Sequence, residues 1–157
     1  MNSIQKEQNN LGGIAKIWVI PAALIYSLER SETPGAYVAP DGCLENAFEF
    51  WPVFQSASFD EEQGQQSAGH FFNQTVLFTI PKHSIYNSVA LESLTGRLWA
   101  ILILDQNSQY KLIGCRDYPL RMVANIKTGA DISDLNHIAM KFSGQSPFRA
   151  VFVDKPA

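Results

Sequence analysis

Charge is scarce in this chain, and what there is does not gather. Charged residues fill 17% of the 157 positions, 12 Lys and Arg against 15 Asp and Glu, for a formal net charge of −3; a globular domain averages about 25%. The basic residues are scattered, so no stripe exists that could neutralise a row of phosphates, and nucleic-acid binding is not indicated. Long apolar runs are missing too. The run 98–104 meets Asp105 well short of the roughly eighteen residues of a membrane span. The opening MNSIQKEQNN is polar and lacks the charged-then-apolar order of a secretory signal. These absences predict a protein made in the cytoplasm and not embedded in a membrane.

Cysteine is equally sparse. Cys43 and Cys115 lie far apart in sequence, and without an export signal they are expected to be reduced thiols. They could pair only if the fold brought their Cα atoms within about 7 Å.

Reaction motifs are also wanting. His70, His83 and His137 show no short ligand spacing of the kind that makes a zinc site readable. No serine sits in a Gly-x-Ser-x-Gly elbow, and the glycines at 12, 13, 35, 42 and 64 form no phosphate-binding loop. Asp60, Glu61 and Glu62 read as a solvated polar turn over 60–67. Neither they nor Asp131 and Asp134 have the alternating oxygen ligands and closing Glu of a calcium loop. No catalytic residue, metal ligand or cofactor is therefore expected, and no ligand-binding residue is assigned.

What the chain does have is apolar bulk. Hydrophobic residues make up 46% of it, with ten Phe, five Tyr and three Trp, enough for one core in a domain of this size. Residues 1–13 read as a flexible polar arm, and residues 14–157 as a single β-rich domain. Strands are predicted over 14–20, 48–54, 70–80, 98–104, 110–114, 120–127, 137–144 and 150–153, on their β-branched, aromatic and alternating patterns. The segment 22–30 fits a helical turn or a strand, and 31–35, 39–42 and 128–136 carry turn chemistry.

The best helix candidate is 82–95. Ser84 can cap its start, Gly96 follows its end, and Ile85, Val89 and Leu91 or Leu94 recur near helical spacing as a sheet-facing side. The fold class is thus mostly β (α+β), an antiparallel β-sandwich or barrel with one flanking helix at about 82–95. Within it the hairpin 98–114 turns through 105–109, a loop of four or five residues. Its first strand is apolar on both faces, which predicts cover from the sheet core on one side and from the helix or another layer on the other. Strand 70–80 is expected beside this hairpin in the core.

An order of features runs along the whole chain. Gly12-Gly13-Ile14-x-Lys16-Ile17-Trp18-x-Ile20-Pro21 opens it, and a long strand closed by Ile80-Pro81 leads to the helix. Trp99-Ala100-Ile101-Leu102-Ile103-Leu104-Asp105 is followed by Leu112-Ile113-Gly114 and Tyr118-Pro119-Leu120. Thr128-Gly129-Ala130-Asp131 and Phe142-Ser143-Gly144-Gln145-Ser146 precede the closing strand. From about residue 12 to residue 153 this order resembles the small virion structural proteins carried by prophages of Bacteroidetes, and its closing half resembles phage tail-tube and tail-terminator-type proteins. The loop 31–45 and the acidic turn near Asp60 depart from that pattern. The resemblance implies a β-sandwich or barrel that assembles into rings or a tube, with a homo-oligomer or other virion proteins as partners, and carries over no catalytic residue.

Candidate interface residues follow from the same logic. Pro52 confines the strand with Phe48, Trp51 and Phe54 to a sheet edge, where strand pairing between copies is possible. Arg116, Tyr118 and Arg121 are the others: Arg116, Asp117 and Arg121 flank Tyr118-Pro119, where an interface or turn ion pair would sit. The expected function is a non-catalytic structural protein of a tail-like or virion particle. The alternative is a module that binds a small molecule or carbohydrate through aromatics such as Trp18, Trp51 or Trp99, and would show two of these rings on one concave face. An enzyme would instead need one of the histidines within hydrogen-bond reach of a carboxylate in a pocket.

Overall fold

The computed structural model describes residues 11–131, 133, 134 and 136–156. In chain order its elements are β1 (Ile14–Pro21), the 3-10 turn Ala22–Leu24, β2 (Glu29–Arg30), β3 (Ala36–Val38), β4 (Phe48–Phe50), β5 (Ser58–Gln66) and β6 (Gly69–Pro81). Then come α1 (Ile85–Leu94), β7 (Leu98–Asp105), β8 (Tyr110–Ile113), β9 (Leu120–Lys127), β10 (His137–Ser146) and β11 (Val151–Val153).

The apolar run of β7 is the axis of the sheet. β1 pairs along one edge of β7, from Ile14 opposite Asp105 to Pro21 opposite Trp99, and β4 pairs with the far edge of β1. The other edge of β7 is shared. Ile101–Leu104 pair with β8, while Leu98 and Trp99 pair with Arg121 and Leu120 of β9. The sheet therefore divides at Ala100 into one branch running β8, β11, β3, β2 and another running β9, β10, β6, β5. All pairings are antiparallel except β3 with β11, which is parallel. At the fork, Gly114 takes a φ of +80° and Cys115 N–H donates to Tyr118 O at 3.2 Å, turning the chain out of one branch and into the other.

Residues of β7 alternate between two cores, as strand geometry requires. Trp99, Ile101 and Ile103 enter a large cluster with Ile17, Val19, Val76, Phe78, Leu120, Ile138, Met140 and Phe142. Ala100 and Leu102 enter a second with Ile20, Ile25, Cys43, Leu112 and Val153. β1, β7 and β8 thus face β6, β9 and β10 across the first cluster as a sandwich, and the segment between β1 and β4 covers the opposite face. Cover on both faces is as expected. The second layer, however, comes from that segment, while α1 contributes Leu94 to the first cluster. Strand β6 shares this cluster but is not hydrogen-bonded to the hairpin, since β10 and β5 take its two edges.

Several local expectations change. The segment expected as a polar turn over 60–67 is strand β5, paired with β6 along all nine of its residues. Asp60 and Glu62 point to solvent and Phe59 and Glu61 inward, so an edge position lets the strand carry charges that a central one could not. The helix starts at Ile85, because Lys82 has φ +61°, while Ser84 Oγ accepts from Asn87 N–H at 3.3 Å as the N-cap. Strand 48–54 shrinks to Phe48–Phe50, ending before Trp51-Pro52. The hairpin loop has the expected length of four residues. Asp105 Oδ1 holds it by accepting from the N–H groups of Asn107 and Gln109 at 2.8 and 2.9 Å.

Residues 1–10 of the arm expected to be flexible lie outside the described residues. Leu11 is tied down: its N–H donates to Asn107 Oδ1 and its carbonyl accepts from Asn107 Nδ2, each at 3.0 Å.

The sandwich closes at its far end with polar groups. Glu61, whose side chain is 13% exposed, accepts from Ala150 N–H at 2.7 Å and from Gln74 Nε2 at 3.0 Å through Oε2. Its Oε1 accepts from Arg149 at 3.1 Å, and the Arg149 guanidinium lies 4.5 Å from the Phe72 ring centroid. The connector between β10 and β11 is thereby pinned to β5 and β6. Close packing recurs at Gly144, where a Cβ would come 2.7 Å from Pro119 O and 2.9 Å from Leu120 Cδ2. Gly144→Ala is expected to cost about 1–3 kcal/mol by overpacking, read as a Tm lowered by roughly 2–10 °C. An unchanged Tm would mean that β9 and β10 do not meet there as described.

Candidate functional site

The expected interface residues fall into two separate groups. Trp51 and Phe54, 67% and 82% exposed, lie on the crossover from β4 to β5. Phe48 does not join them, for its ring packs edge-on against Trp99 with centroids 5.9 Å apart, so it supports the core. Arg116, Tyr118 and Arg121 lie around the fork between β8 and β9, with β1 and β7 between them and β4. Arg116 Nε contacts Asp117 Oδ1 at 3.4 Å, with both side chains more than half exposed, a pair worth about 0–1 kcal/mol at most. Tyr118 meets Phe148 edge-on at 6.1 Å.

The tryptophans are arranged by register. Trp18 on β1 stands opposite Glu49 on β4, and Lys16, two residues earlier on the same face, reaches between two rings. Its Nζ lies 4.8 Å from the centroid of Trp18 and 4.6 Å from that of Trp51. Glu49 Oε1 accepts from Lys16 Nζ at 2.8 Å and from Trp51 Nε1 at 2.9 Å. The Lys16 hydrogen bond, first of several contacts, holds the Glu49 carboxyl below its ordinary range. The rings that a flat ligand would stack on are thus occupied by the chain's own ammonium, and Trp99 is fully buried.

The largest apolar exposure was not expected. On α1 the side packed against the sheet is Asn87, Ala90, Leu91 and Leu94, whereas Ile85, Tyr86 and Val89 are 88%, 83% and 60% exposed. Spacing placed Ile85 and Val89 on the sheet side. The series i, i+3, i+4, i+7 from Asn87 fits the groove better and leaves the other apolar stripe outside. Residues 85 and 89, and 86 and 89, are neighbours one turn apart, so the three form a single patch. A second opening lies along β5, which among the described residues has no partner on its outer edge.

Among the described residues no three His, Cys, Asp or Glu come together as a metal site. His70 Nδ1 lies 3.3 Å from the Gln63 amide, and His83 sits at the foot of α1. The acidic pair of the 128–136 loop serves the backbone: Asp134 Oδ2 accepts from the N–H groups of Ala130 and Asp131 at 2.8 and 3.0 Å, which holds its carboxyl below the usual range. Both cysteines are free, and burial pushes the Cys43 thiol up. No helix among the described residues is long and apolar enough to cross a membrane. No protein-family model, curated protein or solved structure matches the chain.

Proposed function

We propose that this protein is a non-catalytic structural subunit that associates with further copies of itself, of the phage tail or virion kind that its order of features resembles. The observation that carries the reading is the outward apolar patch of Ile85, Tyr86 and Val89 on α1. A helix whose sheet-facing side is already satisfied has no folding reason to present three large apolar residues to water.

Magnitudes say how such a surface would work. Burying the three side chains would contribute on the order of 5 kcal/mol, near the low end of the roughly 4–15 kcal/mol that association costs. One helix contact alone would be weak. A second contact, from the open edge of β5 or from Phe54 and Trp51, would make a ring or tube stable through repeated use of both.

The test is a pair of substitutions that spare the fold. Ile85→Glu places an acid in a first helical turn that has none, where the dipole favours it, and Val89→Lys adds its partner one turn on. The double variant is expected to keep the wild-type Tm within a few degrees. It should remain monomeric in sedimentation across a concentration series in which the wild type forms larger species that electron microscopy shows as rings or tubes. A wild type that stays monomeric at millimolar concentration would end the proposal.

A further inference from the structure

The β10–β11 connector borders a half-open cavity of about 380 Å³, set against the segment that carries Leu28 and Tyr37. We propose that it is a binding site for a small neutral aromatic alcohol, an inference that does not rest on the assembly reading. Its volume is at the lower end of small-molecule sites, suited to one or two rings. Leu28, Tyr37, Leu112 and Val151 supply apolar wall. Two well-buried polar side chains interrupt that wall, Gln74 and Ser146, 2% and 7% exposed, and the largely exposed Arg149 also lines it. Gln74 stands opposite Gly144 in the β6–β10 ladder, so Ser146 is its diagonal neighbour on the same face.

The hydrogen-bond inventory of these two defines the ligand. Gln74 makes both of its bonds through Nε2, donating to Glu61 Oε2 at 3.0 Å and to Phe148 O at 3.2 Å. Among the described residues no donor reaches its Oε1, and the atom is not sealed from solvent, so it is left as an open acceptor. Ser146 Oγ accepts from Phe148 N–H at 3.0 Å, and its own proton remains available to donate. One acceptor beside one donor matches a hydroxyl group, which is both. An ion is disfavoured: Arg149, the one charged side chain in the lining, is already paired with Glu61, so the pair brings no net charge, and the apolar wall would strip an ion of water without return. Phe148, 66% exposed and edge-on to Tyr118, gives the cavity an aromatic side.

The probe is 4-methylphenol, with toluene as the same shape without the hydroxyl. Titration followed by calorimetry is expected to show one saturable site for 4-methylphenol, with toluene about tenfold weaker because the acceptor and donor go unmet. Cys115 lines the cavity while Cys43 is buried elsewhere, so alkylation by N-ethylmaleimide, read by mass spectrometry, should slow at Cys115 when 4-methylphenol is present. Val151→Trp should fill the space and abolish binding. Ser146→Ala, a milder change should that variant not fold, should bring 4-methylphenol close to toluene. Absence of saturable binding, equal affinity for the two probes, or Cys115 alkylation indifferent to the alcohol would each overturn the proposal.

Discussion

Trp99→Ala is expected to lower stability by about 3–5 kcal/mol, a large fraction of the about 5–15 kcal/mol that holds a typical domain folded. The ring is fully buried in the larger cluster, packs against Phe48, and donates from Nε1 to the Leu94 carbonyl at 2.9 Å. It therefore fastens the end of α1 to the start of β7 as well as filling the core. Trp99→Phe keeps much of the volume and loses the hydrogen bond, and should cost about 1–2 kcal/mol. Urea unfolding followed by circular dichroism separates the two, and a Trp99→Ala midpoint within error of wild type would show that the ring is not structural.

The second large effect is expected at Glu61. Glu61→Ala leaves the Ala150 N–H, one Gln74 donor and the Arg149 guanidinium without the acceptor they share. Buried donors abandoned in this way cost about 1–3 kcal/mol each when fully enclosed, and since Arg149 is largely exposed the sum should be near 3 kcal/mol. Its two neighbours are the control. Asp60 and Glu62 face solvent on the same strand, and their alanine variants should stay within about 0.5 kcal/mol of wild type. Equal losses at all three positions would mean that Glu61 is not the organising acceptor.

The contrast between Glu61 and its neighbours marks the limit of what the sequence made legible. The run Asp60-Glu61-Glu62 looked like a turn because its charges are consecutive, yet one of the three points inward. Its partners, Arg149 and the Ala150 amide, are 88 and 89 residues away, and no local pattern announces a pairing at that distance. The central strands were readable for the opposite reason: the burial of β7 on both faces is written in seven consecutive apolar residues. The ends of α1 were close to legible through Ser84 and Gly96, which act locally. Its buried face was not, because apolar residues lie on both sides and only the groove formed by Phe50, Ile80, Ile138 and Met140 decides between them. Of the expected interface residues, Trp51 and Phe54 lie on a loop where an edge strand was expected, because Trp51-Pro52 ends the pairing at Phe50; the inward packing of Phe48 was not legible because its partner, Trp99, is remote.

The division of the sheet at Ala100 also constrains the order in which the chain can be put together. The branch that includes β8 and β3 is joined only through β11, whose Phe152 and Val153 pair with Ala36 and Tyr37 on one side and with Lys111 and Tyr110 on the other. Loop closure over such separations is slow compared with the making of local hairpins. During synthesis the hairpins β5–β6 and β7–β8 can form as they emerge, while β2 and β3 must wait, unjoined to the rest of the sheet, until residues 151–153 have been made. Until then the edges of β3 and β8 stand open to whatever strand they meet first, which makes β11 the strand that seals this branch.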